Sequence, residues 1–338
     1  MKSFGLWYKR TQQSASASND GNQSSQPVIS LHVNFWSLED IKTQDAINTP
    51  YLDIGIKIEN YRTLDQMFFY CPFRVTKDNI YDLSDKLASK NNAGIIFNKD
   101  CEIQTKDSYT IIELSEGQKQ ETLLIFPLNQ VIDQIFAIER CKNGNSQIVF
   151  QFENFIKYVE TIQQLKDIHT LYIRFRIKSI ELKDKIYFDS ELLNKSFESA
   201  FSGTRIIDFK VNEKRNIDDE IKASIIVKGQ EWAELKTTHF LVMEPSSYDL
   251  TSFFEEKMTC RELEEHLWDD YLGTKIDFRK GHVLAYHWKK GKDFSCLVKV
   301  KYSRAKVSTI LSYCGIVVGL SLISCFLFEF LKPVLGFS

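Results

Sequence analysis

The chain is short of residues that build covalent frameworks. It holds seven cysteines in 338 residues, an odd number, and no two lie within four positions of each other. A disulfide scaffold calls for closer, even pairing, and a structural zinc site calls for C-x2-4-C pairs. Neither pattern is present, so reduced thiols in a cytosolic compartment are expected, and no metal site. Six prolines and fourteen glycines are too few for a collagen-like or loop-dominated chain. Charge of one sign is not in excess either: 43 Lys and Arg face 45 Asp and Glu, a net of −2. That excludes a histone-like mode of nucleic-acid binding and leaves room only for a local basic patch. Catalytic signatures are missing as well. The sequence has no G-x-x-x-x-G-K-[ST], no G-x-G-x-x-G, no G-x-S-x-G and no H-E-x-x-H. Neither an enzyme nor a cofactor is expected. Met1–Arg10 carries no apolar run of signal-peptide length.

What is there, first, is a long apolar run near the C-terminus. Val307–Phe328, VSTILSYCGIVVGLSLISCFLF, holds 22 residues without a formal charge. As a helix it is about 33 Å long at about 1.5 Å per residue, enough to cross a hydrocarbon core of about 30 Å. Its serines can return their hydroxyl bonds to the helix's own carbonyls. Lys299, Lys301, Arg304 and Lys306 precede the run, whereas Glu329 and Lys332 after it cancel. The positive-inside rule then places the bulk of the chain in the cytoplasm. The expectation is a tail-anchored, single-pass protein, with 329–338 as a short extracytoplasmic tail.

The segment 1–27 is expected to be flexible, most clearly over Thr11–Pro27, which is rich in Ser, Gln and Asn. Phe4–Tyr8 is aromatic and can dock on the body, a partner or the membrane. From Val28 the dominant period is two. Leu52, Ile54, Ile56 and Ile58 alternate with Asp53, Gly55, Lys57 and Glu59, and Leu171, Ile173, Phe175 and Ile177 alternate with Tyr172, Arg174, Arg176 and Lys178. Each pattern predicts a strand with one wet face. Short runs of this kind, Gly94–Phe97 among them, predict a mainly β, antiparallel sandwich-like body over 28–302, with a soft boundary near Ile180–Asp189. Helices are expected at Asn79–Ser89, Phe155–Leu165, Ser190–Ala200 and Cys260–Leu272, the last opened by a Thr259/Glu262 capping box. His282–Trp288 and Phe294–Tyr302 read as a hairpin about a lysine-rich loop.

Two basic groups are candidate ligand contacts: Arg174, Arg176 and Lys178 on one strand face, and Lys289, Lys290 and Lys292 in the loop. An ordinary exposed strand face is the alternative for the first. Nine upright residues would lift the loop about 30 Å at about 3.3 Å per residue, so Lys301, Arg304 and Lys306 are the membrane-surface candidates. Glu262 and His266 read as a solvated helix face rather than metal ligands. No spacing joins His32, His169, His239, His282 and His287. Within the apolar run, Ser308, Ser312, Gly315 and Gly319 share one helix face, and G-x-x-x-G lets two helices pack closely. That pattern suits a homo-oligomer or the lining of a pore, and chance composition is its alternative.

The strings YLDIGIKIEN, CPFRV, YDLSDKL and GIIFN, ahead of a hydrophobic tail, resemble membrane effectors of bacterial anti-phage defence, the Hailong-type channel effectors in particular. The resemblance implies a homo-oligomeric body that holds or releases a membrane pore under a signal, and it transfers no functional residue. A nucleotide, an oligonucleotide or a cytosolic protein is the partner expected. A membrane-anchored adaptor that only localises such a partner is the competing reading.

Overall fold

The computed structural model describes residues 2–11, 26–41, 43–45, 47–128, 136–190, 202–253, 257–303 and 307–331. Its body is mainly β, arranged as three sheets. The longest runs β17 (Thr259–Glu262), β18 (Val283–Lys290), β15 (Leu235–Pro245), β2 (Val28–Trp36), β3 (Tyr51–Glu59), β11 (Thr170–Lys178), β8 (Lys119–Ile125), β7 (Thr110–Glu116), β6 (Asp100–Thr105), with β5 (Ile80–Asp82) also on β11. A second sheet runs β14 (Glu231–Trp232), β1 (Gly5–Arg10), β4 (Leu64–Cys71), β10 (Ser146–Gln151), β9 (Phe136–Arg140). The third runs β12 (Tyr187–Ser190), β13 (Ser202–Val211), β19 (Phe294–Ser303), β16 (Asp249–Ser252). Pairing is antiparallel except for β15 with β2 and a single parallel pair of β11 with β8.

The period of two explains the core. Leu31, Val33 and Phe35 of β2, Ile54 and Ile56 of β3, Phe69 of β4, Phe175 of β11 and Phe209 of β13 point to one side and share one hydrophobic cluster. All three sheets contribute, and the cluster takes residues from both sides of Ile180–Asp189. Phe4 ties the sheets together, its ring 5.6 Å from Phe69 and 5.4 Å from Phe209. Each such buried ring stabilises by about 2–3 kcal/mol. The N-terminal aromatics therefore dock within their own chain as β1, which corrects the flexible reading of 1–27 over Gly5–Arg10. Residues 12–25 lie outside the described part.

Several local readings are corrected. Thr259–Glu262 is an edge strand rather than a capped helix turn, because its backbone pairs with β18; the helix α5 is confined to Asp269–Leu272. Gly94–Phe97 ends a helix, α2 (Lys90–Phe97), that buries Ala93 under the β6–β8 wing. Asn79–Ser89 divides into a 3-10 turn, β5 and the short α1 (Ser84–Leu87). Phe155–Leu165 does fall in a helix, α3 (Glu153–Thr161), followed by a 3-10 turn. The helix expected at Ser190–Ala200 lies outside the described residues apart from Ser190, which ends β12. The expected hairpin is absent: β18 pairs with β15 and β17, while β19 pairs with β13 and β16. The Lys289–Asp293 connection carries the chain from one sheet to another. It is pinned by the Lys292 amide, which donates to the Leu235 carbonyl at 2.7 Å. α4 (Asp219–Val227) packs Ile225 under the second sheet and leaves Ile226 and Val227 76% and 85% exposed.

α6 (Val307–Leu331) follows β19 after three residues. Its Ile310–Phe328 stretch is long and apolar enough to cross a membrane, and none of it is buried against the body. A core helix of a soluble protein would be covered, so an apolar surface of this length calls for lipid or for other helices. Ser312, Gly315 and Gly319 lie on it at helical spacing, with open space where a Cβ on either glycine would point.

Candidate functional site

The strand faces expected to be wet are not wet. On β11, Tyr172, Arg174 and Arg176 are as buried as the apolar residues between them, the two arginines at 2% exposure each. The segment Trp268–Ile276 covers this face with Trp268, Tyr271 and Leu272, while Leu87 and Ala93 cover it beside Tyr172. A continuous polar seam is thus sealed between two apolar layers.

Asp53 of β3 anchors the seam. It accepts from Arg176 Nε at 2.6 Å and Nη2 at 3.0 Å, from the Tyr271 hydroxyl at 2.7 Å and from Trp36 Nε1 at 3.1 Å. Burial opposes its charge, but Arg176, Arg174 and the Tyr271 hydroxyl hold its carboxyl below the usual range. Among the described residues no carboxylate pairs with Arg174. Its Nε donates to the Tyr271 hydroxyl and its Nη1 to the Tyr172 hydroxyl, both at 2.8 Å, and the Asn34 amide oxygen, oriented to accept, lies 3.0 Å from Nη2. Gly55 makes this packing possible. A Cβ there would stand 2.9 Å from Arg174 Nη1 and closer still to the Tyr172 hydroxyl. At one end Lys178 lies over the Tyr51 ring at 4.5 Å and the Tyr81 ring at 4.2 Å.

At the other end the seam meets three histidines that sequence spacing does not connect. His32 and His239 are direct partners on β2 and β15, with ring centroids 4.9 Å apart. His239 stacks on His287 of β18 at 5.1 Å, its Nδ1 3.0 Å from Nε2 of His287. His32 Nδ1 lies 3.3 Å from the Tyr172 hydroxyl, which joins the row to Arg174. Lys289, the cross-strand partner of His239, is exposed at the mouth. The two predicted ligand groups therefore touch one seam: Arg174 and Arg176 in its buried stretch, Lys178 half-buried at one end, and Lys289 exposed at the other. Arg174 and Arg176 are corrected from an exposed phosphate-facing strip to buried members of a network, because the cover spanning 268–276 was not legible in β11 itself. Lys290 and Lys292 are exposed in the connection. Lys301 is exposed on β19, while Arg304 and Lys306 lie outside the described residues.

A second polar centre joins the long sheet to the third. Arg205 of β13 is held by Glu39 at 3.2 Å, by Asp189 at 3.1 Å and by Asp40, and lies 4.9 Å over the Tyr187 ring. Tyr302, next to last on β19, donates to Asp189 at 3.2 Å and stacks on Tyr248 at 5.1 Å. Gly203 leaves room for that ring; a Cβ there would stand 2.5 Å from it. Glu244 is fully buried. Ser37 donates to its Oε1 at 2.6 Å, and its Oε2 has no hydrogen-bond partner among the described residues. Burial, only partly offset by Arg205, raises its carboxyl to about 8. A cavity of about 240 Å³ lined by Glu39, Asp40, Tyr248 and His282 lies beside this clasp. A cleft of about 700 Å³ lined by His266, Lys275, Phe278 and His282 adjoins it through His282. Its size suits a small-molecule ligand. No group of metal-ligating side chains able to hold an ion occurs among the described residues, and all seven cysteines are free.

No family model matches the chain, and no curated protein matches it.

Proposed function

We propose that the protein is a tail-anchored membrane effector of a bacterial inner membrane. Its cytosolic β body responds to a ligand or protein partner, and its C-terminal helices, gathered in a homo-oligomer, open or disrupt the bilayer. Anti-phage defence is the setting that suits such a device. One observation carries the reading: β19 is hydrogen-bonded on both sides within the body, is clasped through Tyr302 to the Arg205 centre, and ends three residues before α6. A change of packing at the clasp therefore has a short mechanical route to the membrane helix. The cavity beside Glu39 and Asp40 gives a ligand access to that clasp.

The test is expression of the full chain in bacteria with a membrane-potential dye. Arg205→Gln, which weakens the clasp, is expected to depolarise cells faster than the wild type. Equal membrane insertion with no depolarisation by either protein would instead support the adaptor reading, which the exposed Ile226 and Val227 pair favours as a partner contact.

A further inference from the structure

We propose that the row His32–His239–His287 is a proton-responsive joint, closed while its three imidazoles are neutral and opened when they are protonated, so that acidification detaches β17 and β18 from β15.

The argument begins with what surrounds the rings. Among the described residues no carboxylate bonds to any of the three. From β11 come Tyr172 and the buried Arg174, and from α2 comes Phe97, 6.5 Å from His32. From β3 comes Lys57, whose charge is shared with Glu121 of β8 and, at 3.7 Å, with Glu59. From β18 comes Lys289 and from β17 comes Arg261, itself 3.0 Å from Glu264. The field around the row is therefore positive, and the rings face one another. A first added proton meets cations in a half-buried row, and a second meets the first at one stacking distance.

Burial, then His239, Arg174 and Lys57, holds His32 well below its ordinary value. Burial, then His287 and the nearby lysines, lowers His239 to about 4, and burial, then Lys289 and Arg261, lowers His287. For His239 the difference from 6.5 corresponds to about 300-fold weaker proton binding in the folded state. The sign follows. The unfolded chain binds protons that the folded row refuses, so this contribution is complete above about pH 6.5 and is lost as pH falls toward 4.

The weak place lies in the topology. β18 has one strand partner on the body side, β15, with Val283, Ala285, Tyr286 and Trp288 packed in the cores, and among the described residues only the four-residue β17 lies beyond it. Repulsion between His239 and His287 acts across the β15–β18 pair. Three residues after β18 comes β19, so opening here reaches the strand that leads to the membrane helix; that last step rests on the gating reading above.

The test uses the full chain in detergent. Deuterium exchange at the imidazole C2 position, read by mass spectrometry from pH 4 to 8, follows each histidine separately. His32, His239 and His287 should show midpoints below those of the same peptides in the urea-unfolded chain, and backbone exchange within β17 and β18 should rise on acidification relative to β13. His239→Gln and His287→Gln should unfold like wild type at pH 7.5 and lose much of its acid sensitivity. Midpoints equal to those of the unfolded chain, or an unchanged acid slope in both variants, would overturn the joint. The exchange readout on wild type stands even if a variant fails to fold. Shifted midpoints and acid opening without any change in ion flux would leave the joint standing and count against gating.

Discussion

Arg176 grips Asp53 with two nitrogens, at 2.6 and 3.0 Å, wholly inside the protein. A charge pair so placed is costly to break from one side, because the survivor keeps its desolvation penalty and loses its partner. Asp53→Ala or Arg176→Ala should each lower stability by about 3–5 kcal/mol, measured by urea unfolding of the full chain in detergent with tryptophan fluorescence. Asp53→Leu combined with Arg176→Met should recover a large part of that loss. Single-mutant losses below about 1 kcal/mol would show that the pair is hydrated after all.

Gly55 offers a second test of the seam. A methyl group there meets the Tyr172 hydroxyl and Arg174 Nη1, and neither can retreat through the apolar cover. Gly55→Ala should cost about 1–3 kcal/mol. Tyr172→Phe in the same chain should return part of it, since the hydroxyl is the first atom the new methyl meets. Additive losses in the double variant would contradict this packing.

Glu244 and the histidine row impose opposite pH dependences. A carboxyl raised to about 8 in the folded state, against about 4.5 unfolded, stabilises fully below 4.5 and loses its contribution as pH rises through 8. Glu244→Gln keeps the uncharged shape, so its thermal midpoint should fall less than that of wild type between pH 6 and pH 8.5. Parallel curves for the two proteins would show that Glu244 is already ionised at neutral pH.

Much of the fold was legible from the period of two. Ile54, Phe175 and Phe209 declare their strands and their core-facing side, and 22 uncharged residues declare the terminal helix. What one strand cannot declare is its neighbour on the other face. Arg174 and Arg176 read as a solvated strip because the side chains that cover them, Trp268, Tyr271 and Leu272, lie about a hundred positions away. His32, His239 and His287 failed to connect for the same reason: their proximity is a property of strand order, β2 beside β15 beside β18. The one signal within reach was parity. His239 and Lys289, or His32 and Gly55, align only after the sheet order is known. The Thr259/Glu262 capping box failed because pairing with β18 outweighed a local helix preference.

The small-residue face of α6 has its own prediction. Gly315→Ile and Gly319→Ile should leave the protein in the membrane fraction and reduce cross-linked multimers, whereas Leu320→Ile should not. A chain ending at Ser303 should be soluble and should show whether the body also associates. Unchanged cross-linking in both glycine variants would mark the stripe as incidental.

The most direct measurement is ion flux from liposomes reconstituted with the full chain, compared across wild type, Arg205→Gln and Arg205→Gln with Gly315→Ile at equal protein content. Coupling of the body to the membrane helix predicts that loosening the clasp raises flux several-fold and that the glycine change on the same chain abolishes the rise. Inserted, folded Arg205→Gln protein that leaks no faster than protein-free vesicles would contradict it.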